Sequence, residues 1–119
     1  MSVYIIAEAG VNHNGSIDLA FRLIDKAVEA GANCIKFQTF VSRNLVSAKA
    51  QKAKYQKAST DEDESQLDMV KKLELSFDDF QKLAEYCKIT SIQFLSTPFD
   101  LQSIAFLNTL SMPFWKIPS

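Results

Sequence analysis

Short apolar runs ending in polar residues alternate along this chain with stretches in which apolar residues return at helical spacing. Val3 to Ala9 is nearly all apolar, as expected for a strand covered on both faces within a parallel sheet. Gly10 to Ser16 is rich in turn formers, and Ser16 can cap the helix that follows. Over Ile17 to Ala30, Ala20, Leu23, Ile24, Ala27 and Val28 fall on one face, with Arg22, Asp25, Lys26 and Glu29 opposite, and Gly31 closes the helix. Asn33 to Thr39 predicts a second strand. Ser76-Phe77-Asp78-Asp79 matches a capping box, after which Phe80, Leu83, Ala84 and Cys87 recur at helical spacing. Ser91 to Asp100 predicts a buried third strand that ends near Thr97, because Pro98 cannot extend a ladder. Asp100 then caps a helix carrying Leu101, Ile104, Ala105 and Leu107, which fades near Ser111. Pro113 to Ser119 predicts the start of a fourth strand.

The pattern loosens between Phe40 and Thr60, where Lys49, Lys52, Lys54 and Lys57 read as a solvated helix face. Asp61 to Glu64 suits the start of a short helix containing Leu67, Met69, Val70 and Leu73. About 50 residues thus separate the second and third strands, a long connection of the kind that often forms a lid at the ligand-facing end. Strands alternating with helices imply right-handed βαβ crossovers and the α/β class. A complete TIM barrel has eight strands and typically ~250 residues. A chain of 119 residues with parallel (β/α) units is therefore expected to form a partial TIM barrel, about four of the eight strands. Such a half would leave strand edges and an apolar inner face uncovered, so a homo-oligomer is expected.

The composition, 47% hydrophobic and 23% charged, is that of one ordinary globular domain. A formal charge of −1, without a basic cluster interleaved with aromatics, argues against nucleic acid. No apolar run approaches the ~20 residues of a membrane span, and the N-terminus lacks a basic leader region, so a cytoplasmic protein is expected. Cys34 and Cys87 lack CxxC spacing and read as buried free thiols.

The candidate chemistry lies at the strand ends: Glu8 from the first, Lys36 and Gln38 from the second, Ser96 and Thr97 from the third, Lys116 and Ser119 from the fourth. Lys36 and Gln38 alternate with apolar residues and share a face. In a half-solvated sheet that face is simply wet; in a barrel it points into the mouth, where a lysine needs an anionic partner. Two lysines with hydroxyls converging on one mouth make a cradle for phosphate or carboxylate. A Schiff-base aldolase using Lys36 or Lys116 is an alternative, as is a non-catalytic module that keeps only an anion site.

Four stretches, Ile6-Ala7-Glu8-Ala9-Gly10-Val11-Asn12-His13-Asn14-Gly15, Ile35-Lys36-Phe37-Gln38-Thr39, Phe94-Leu95-Ser96-Thr97-Pro98-Phe99 and Phe114-Trp115-Lys116-Ile117-Pro118-Ser119, resemble the successive strand-end motifs of the N-acetylneuraminate (sialic acid) synthase family. The resemblance covers essentially the whole chain. It implies that residues 1–119 are the N-terminal part of a (β/α)8 barrel, without the C-terminal half-barrel and the small antifreeze-like domain. It also implies an enzyme that condenses phosphoenolpyruvate with N-acetylmannosamine or a related amino-sugar aldose and releases phosphate. A divalent metal, Mn²⁺ or Mg²⁺, is implied as Lewis acid, with its histidine ligands on later strands. Lys36, Thr97, Lys116 and Ser119 match positions that hold the phosphate and carboxylate, whereas Glu8, the candidate catalytic residue, and Gln38 match positions facing the sugar. His13, the one histidine in the chain, is then a loop residue that shapes the site. The acidic catalytic residue that follows the fourth motif in the family lies beyond Ser119, so the 119 residues are not expected to turn over alone.

Overall fold

A computed structural model describes residues 2–45 and 60–118, with backbone alone for 60–65. The stretch bearing Lys49, Lys52, Lys54 and Lys57, and Ser119, lie outside the described residues. The elements run β1 (Ile6–Gly10), α1 (Ile17–Glu29), β2 (Cys34–Thr39), α2 (Thr60–Lys71), α3 (Phe77–Ile89), β3 (Gln93–Pro98) and α4 (Leu101–Leu107), with a 3₁₀ turn over Asn108–Leu110. The strands form a 3-stranded sheet in the order β1-β2-β3, and both pairings are parallel. Neighbours in sequence are thus neighbours in space, which is the order of a barrel wall.

The helices begin where side chains satisfy their free amides. Ser16 Oγ accepts from Leu19 N–H at 3.2 Å, Ser76 Oγ from Asp79 N–H at 3.0 Å and Asp100 Oδ1 from Ser103 N–H at 2.8 Å. Gly31, at φ +82°, follows α1 in the left-handed conformation that glycine adopts most readily. Between sheet and helices lies the core: Ala20, Ile24 and Ala27 of α1 and Phe80, Leu83, Ala84 and Cys87 of α3 meet Ile35, Phe37 and Phe94. The Phe37 and Phe94 rings stack at 6.0 Å, and Phe80 meets Phe94 edge-on at 6.4 Å. Cys34 and Cys87 are buried free thiols, and burial pushes that of Cys87 up to about 12.

Three sequence expectations are corrected. The first strand is shorter than Val3 to Ala9 and is not covered on both faces: Val3, Tyr4, Ile5 and Ile6 are exposed. β1 is an edge strand, and the described helices cover one side of the sheet. In α4, Leu101 is 84% exposed and Ile104 is also exposed, while Ser103 and Leu107 are buried. The Asp100 carboxylate draws Ser103 inward through both its N–H and its hydroxyl, and so sets the rotation of this short helix. Finally, residues 113–118 form no strand. Pro113 and Pro118 lack a backbone donor, and the Ser96 N–H is taken by Met112 Sδ at 3.3 Å instead of a carbonyl of that segment.

Candidate active-site cleft

In a parallel sheet, residues opposite one another across strands share a face, and successive residues alternate. The register pairs Glu8 with Lys36 and Gln38 with Thr97, so these four side chains emerge on the face away from the helices. The register shifts between Glu8 and Gly10, where the chain turns at φ +54°. A Cβ on Gly10 would lie 3.2 Å from Glu8 Oε1 and 3.6 Å from Gln38 Nε2, so the absent side chain leaves room for both.

A cleft of about 240 Å³ opens here, lined by Glu8, Lys36, Gln38, Thr97, Phe99, Lys116 and Pro118. Lys36 Nζ lies 2.9 Å from Glu8 Oε2, with the lysine mostly covered and the carboxylate half exposed. The anionic partner that a mouth-facing lysine requires is therefore the neighbouring strand's carboxylate. Lys116 Nζ donates to the Ile117 carbonyl at 2.6 Å. Two ammonium groups against one carboxylate leave the described lining net positive.

Of the candidate residues, Glu8, Lys36, Gln38, Thr97 and Lys116 come together. Ser96 does not: it points to the helix-facing side, fully buried, with its hydroxyl 2.6 Å from Thr39 Oγ1. Its neighbour Thr97 takes the cleft because alternate residues face opposite ways. His13 is also buried rather than in the lining. Its Nδ1 accepts from Gly15 N–H at 2.9 Å, its ring lies 6.2 Å from that of Phe37, and Nε2 has no partner. Burial lowers its pKa, so the neutral ring, with its proton assigned to Nε2, shapes the β1–α1 loop.

Phe99 and Pro118 were missed as lining residues, as was a second hollow of about 160 Å³ adjoining the first. It is bounded by Val11, Gln38, Phe40, Leu45, Val70, Leu73 and Phe99. The sole hint in the sequence was the long β2–α3 connection. Asp100 Oδ2 accepts from Val41 N–H at 2.8 Å, and Glu74 Oε1 accepts from Ser42 N–H at 2.8 Å and from its hydroxyl. These bonds fix both ends of the connection beside the cleft. No described helix is long and apolar enough to cross a membrane.

Parallel βα units with a charged cleft at the strand ends define a barrel-type enzyme scaffold, and comparison with known proteins narrows it. The chain belongs to the NeuB family, which it matches over residues 23–119. It is 53% identical over 115 residues to the N,N'-diacetyllegionaminic acid synthase of Campylobacter jejuni, covering 97% of this chain and 34% of that protein. To the N-acetylneuraminate-9-phosphate synthase of Homo sapiens it is 34% identical, covering 98% of this chain and 32% of that one. The N-acetylneuraminic acid (sialic acid) synthetase of Leptospira borgpetersenii, solved in complex with citrate, superposes with a TM-score of 0.77 at 34% identity, over 98% of this chain and 36% of that chain. The chain thus spans about a third of the length of the curated relatives it matches.

Proposed function

We propose that these residues form the anion-binding and sugar-facing wall of an enzyme that condenses phosphoenolpyruvate with N-acetylmannosamine or a related amino-sugar aldose. The product is a nonulosonic acid, and phosphate is released. The convergence of Lys36, Lys116 and Thr97 on one cleft, with Glu8 and Gln38 beside them, carries this reading. Synthases of sialic and legionaminic acids among the relatives support it, as does a structural relative that holds citrate, itself a polycarboxylate.

Lys36 and Lys116 supply point charges for the phosphate and carboxylate, and Thr97 adds a hydroxyl donor. The methylene carbon of phosphoenolpyruvate attacks the open-chain aldehyde, forming the new C–C bond. Water then adds to the cationic carbon left behind, and phosphate departs with cleavage of its C–O bond. Glu8 is placed to accept hydrogen bonds from sugar hydroxyls, and a phosphate or carboxylate arriving at Lys36 would compete for its present ion pair. Turnover is assigned to the whole enzyme in the cytoplasm, working as a homo-oligomer, rather than to these residues alone.

The expected divalent metal does not fit the residues described. Among them no three His, Cys, Asp or Glu side chains gather, and the Glu8 carboxylate is engaged by Lys36. No step is therefore routed through it. An imine mechanism is disfavoured, because it needs a lysine desolvated in apolar surroundings, whereas Lys36 sits against a carboxylate and Lys116 against a carbonyl.

Trp115, which precedes Lys116, reports the test. Titrating phosphoenolpyruvate should change its emission saturably, inorganic phosphate should compete, and Lys36→Ala or Lys116→Ala should abolish the response. A folded protein whose emission does not respond, or responds equally in both variants, would refute the anion-site reading.

A further inference from the structure

The charged cleft and the apolar hollow beside it share Gln38 and Phe99, so they are two compartments of one site. Apart from the Gln38 amide, the hollow offers the side chains of Val11, Phe40, Leu45, Val70 and Leu73, none of which can satisfy a hydroxyl or a charge. A sugar hydroxyl placed there would lose its hydration without compensation. What suits it is a short alkyl group attached to something that can hydrogen-bond at the entrance. Gln38 stands at that entrance, and a side-chain amide both donates and accepts, which are the two requirements of another amide.

We infer that the hollow receives the acyl chain of an N-acylated amino sugar, with the sugar's amide meeting Gln38 and its alkyl end lying among Val11, Phe40, Leu45, Val70 and Leu73. This rests on the reading of the cleft as a sugar site. The volume of about 160 Å³ holds about five non-hydrogen atoms at about 30 Å³ each, more than an acetyl group requires. Val70 and Leu73 come from the connection between β2 and α3. That connection therefore contributes to recognition of the acyl group, whereas the strand ends bind the anion.

The test is a binding series on the purified protein with N-formyl-, N-acetyl- and N-propanoylmannosamine, alongside a separate titration of phosphoenolpyruvate. Each added carbon should tighten binding about fourfold while it fits the hollow. Leu73→Phe, which fills the hollow, should flatten the gradient, and Val70→Ala, which enlarges it, should extend the gradient to N-butanoylmannosamine. Sugar binding that ignores acyl length in the wild type, or a gradient unchanged in both variants, overturns the inference even where phosphoenolpyruvate binds. An acyl gradient without phosphoenolpyruvate binding upholds the hollow and refutes the anion site instead.

Discussion

Gly15 gives the sharpest test of how the β1–α1 loop is held against the far side of the hollow. Its φ is +77°, and a Cβ there would fall 2.2 Å from the Lys72 carbonyl oxygen and 3.2 Å from the carbonyl carbon. Gly15→Ala therefore meets two separate costs. The left-handed backbone costs an L-residue about 1–2 kcal/mol. The clash is additional: non-bonded contacts settle at about 3.5–4.0 Å, so the loop and the turn at Lys72 must part by more than about 1 Å. Parting them strains the hydrogen bond from Gly15 N–H to His13 Nδ1, whose loss alone costs about 0.5–1.5 kcal/mol. Together these place Gly15→Ala about 2–4 kcal/mol below the wild type, in the range of strained backbone positions. Gly31→Ala is the matched control, because φ is +82° but nothing lies within 4 Å of the added Cβ. It should lose only the backbone cost, about 1–2 kcal/mol. Urea unfolding followed by far-UV circular dichroism separates them: with a slope of about 1–3 kcal/mol per molar, the midpoint should fall about 1 M further for Gly15→Ala. Equal midpoint shifts would refute the claimed contact between loop and turn.

Three further outcomes follow from the geometry. His13 is buried with a lowered pKa, so the native protein holds it neutral and protons favour the unfolded chain; stability present above about pH 6.5 should decline as pH falls through the native pKa. Urea midpoints at pH 7.5 and 5.5 should show that loss in the wild type and less of it in His13→Gln; identical slopes would refute it. Cys34 and Cys87 are buried and burial raises both thiols, so iodoacetamide at pH 8.5 should leave the native protein unlabelled and modify both residues in denaturant. Rapid native labelling would contradict that packing. Asp100→Ala removes the α4 cap and the tether to Val41 and should cost about 1–2 kcal/mol, with Asp100→Asn milder; a neutral alanine variant would show that the carboxylate restrains neither segment.

Helix starts at Ser16, Ser76 and Asp100 were legible because a cap reaches only three residues along its own chain. The apolar faces of α1 and α3 were equally plain, since a 3.6-residue period imprints itself on the residues that form it. Glu8, Lys36, Gln38, Thr97 and Lys116 could be selected from recurrence at strand ends and from the family resemblance. Other features depended on partners remote in sequence. Ser96 and Thr97 differ in fate because the pairing of β3 with β2 assigns one to the core and the other to the cleft. Leu101 and Ile104 look like core residues by spacing, yet Asp100 rotates Ser103 inward in their place. Residues 113–118 read as a strand, but a strand exists only where a neighbour accepts its hydrogen bonds, and Met112 takes the Ser96 amide. The hollow joins Val11, Phe40 and Leu73 from separate stretches of chain. Caps and periodicities are satisfied within a few residues, so they are written locally; facing, register and cavities come from contacts between distant segments and exist only once the chain has folded.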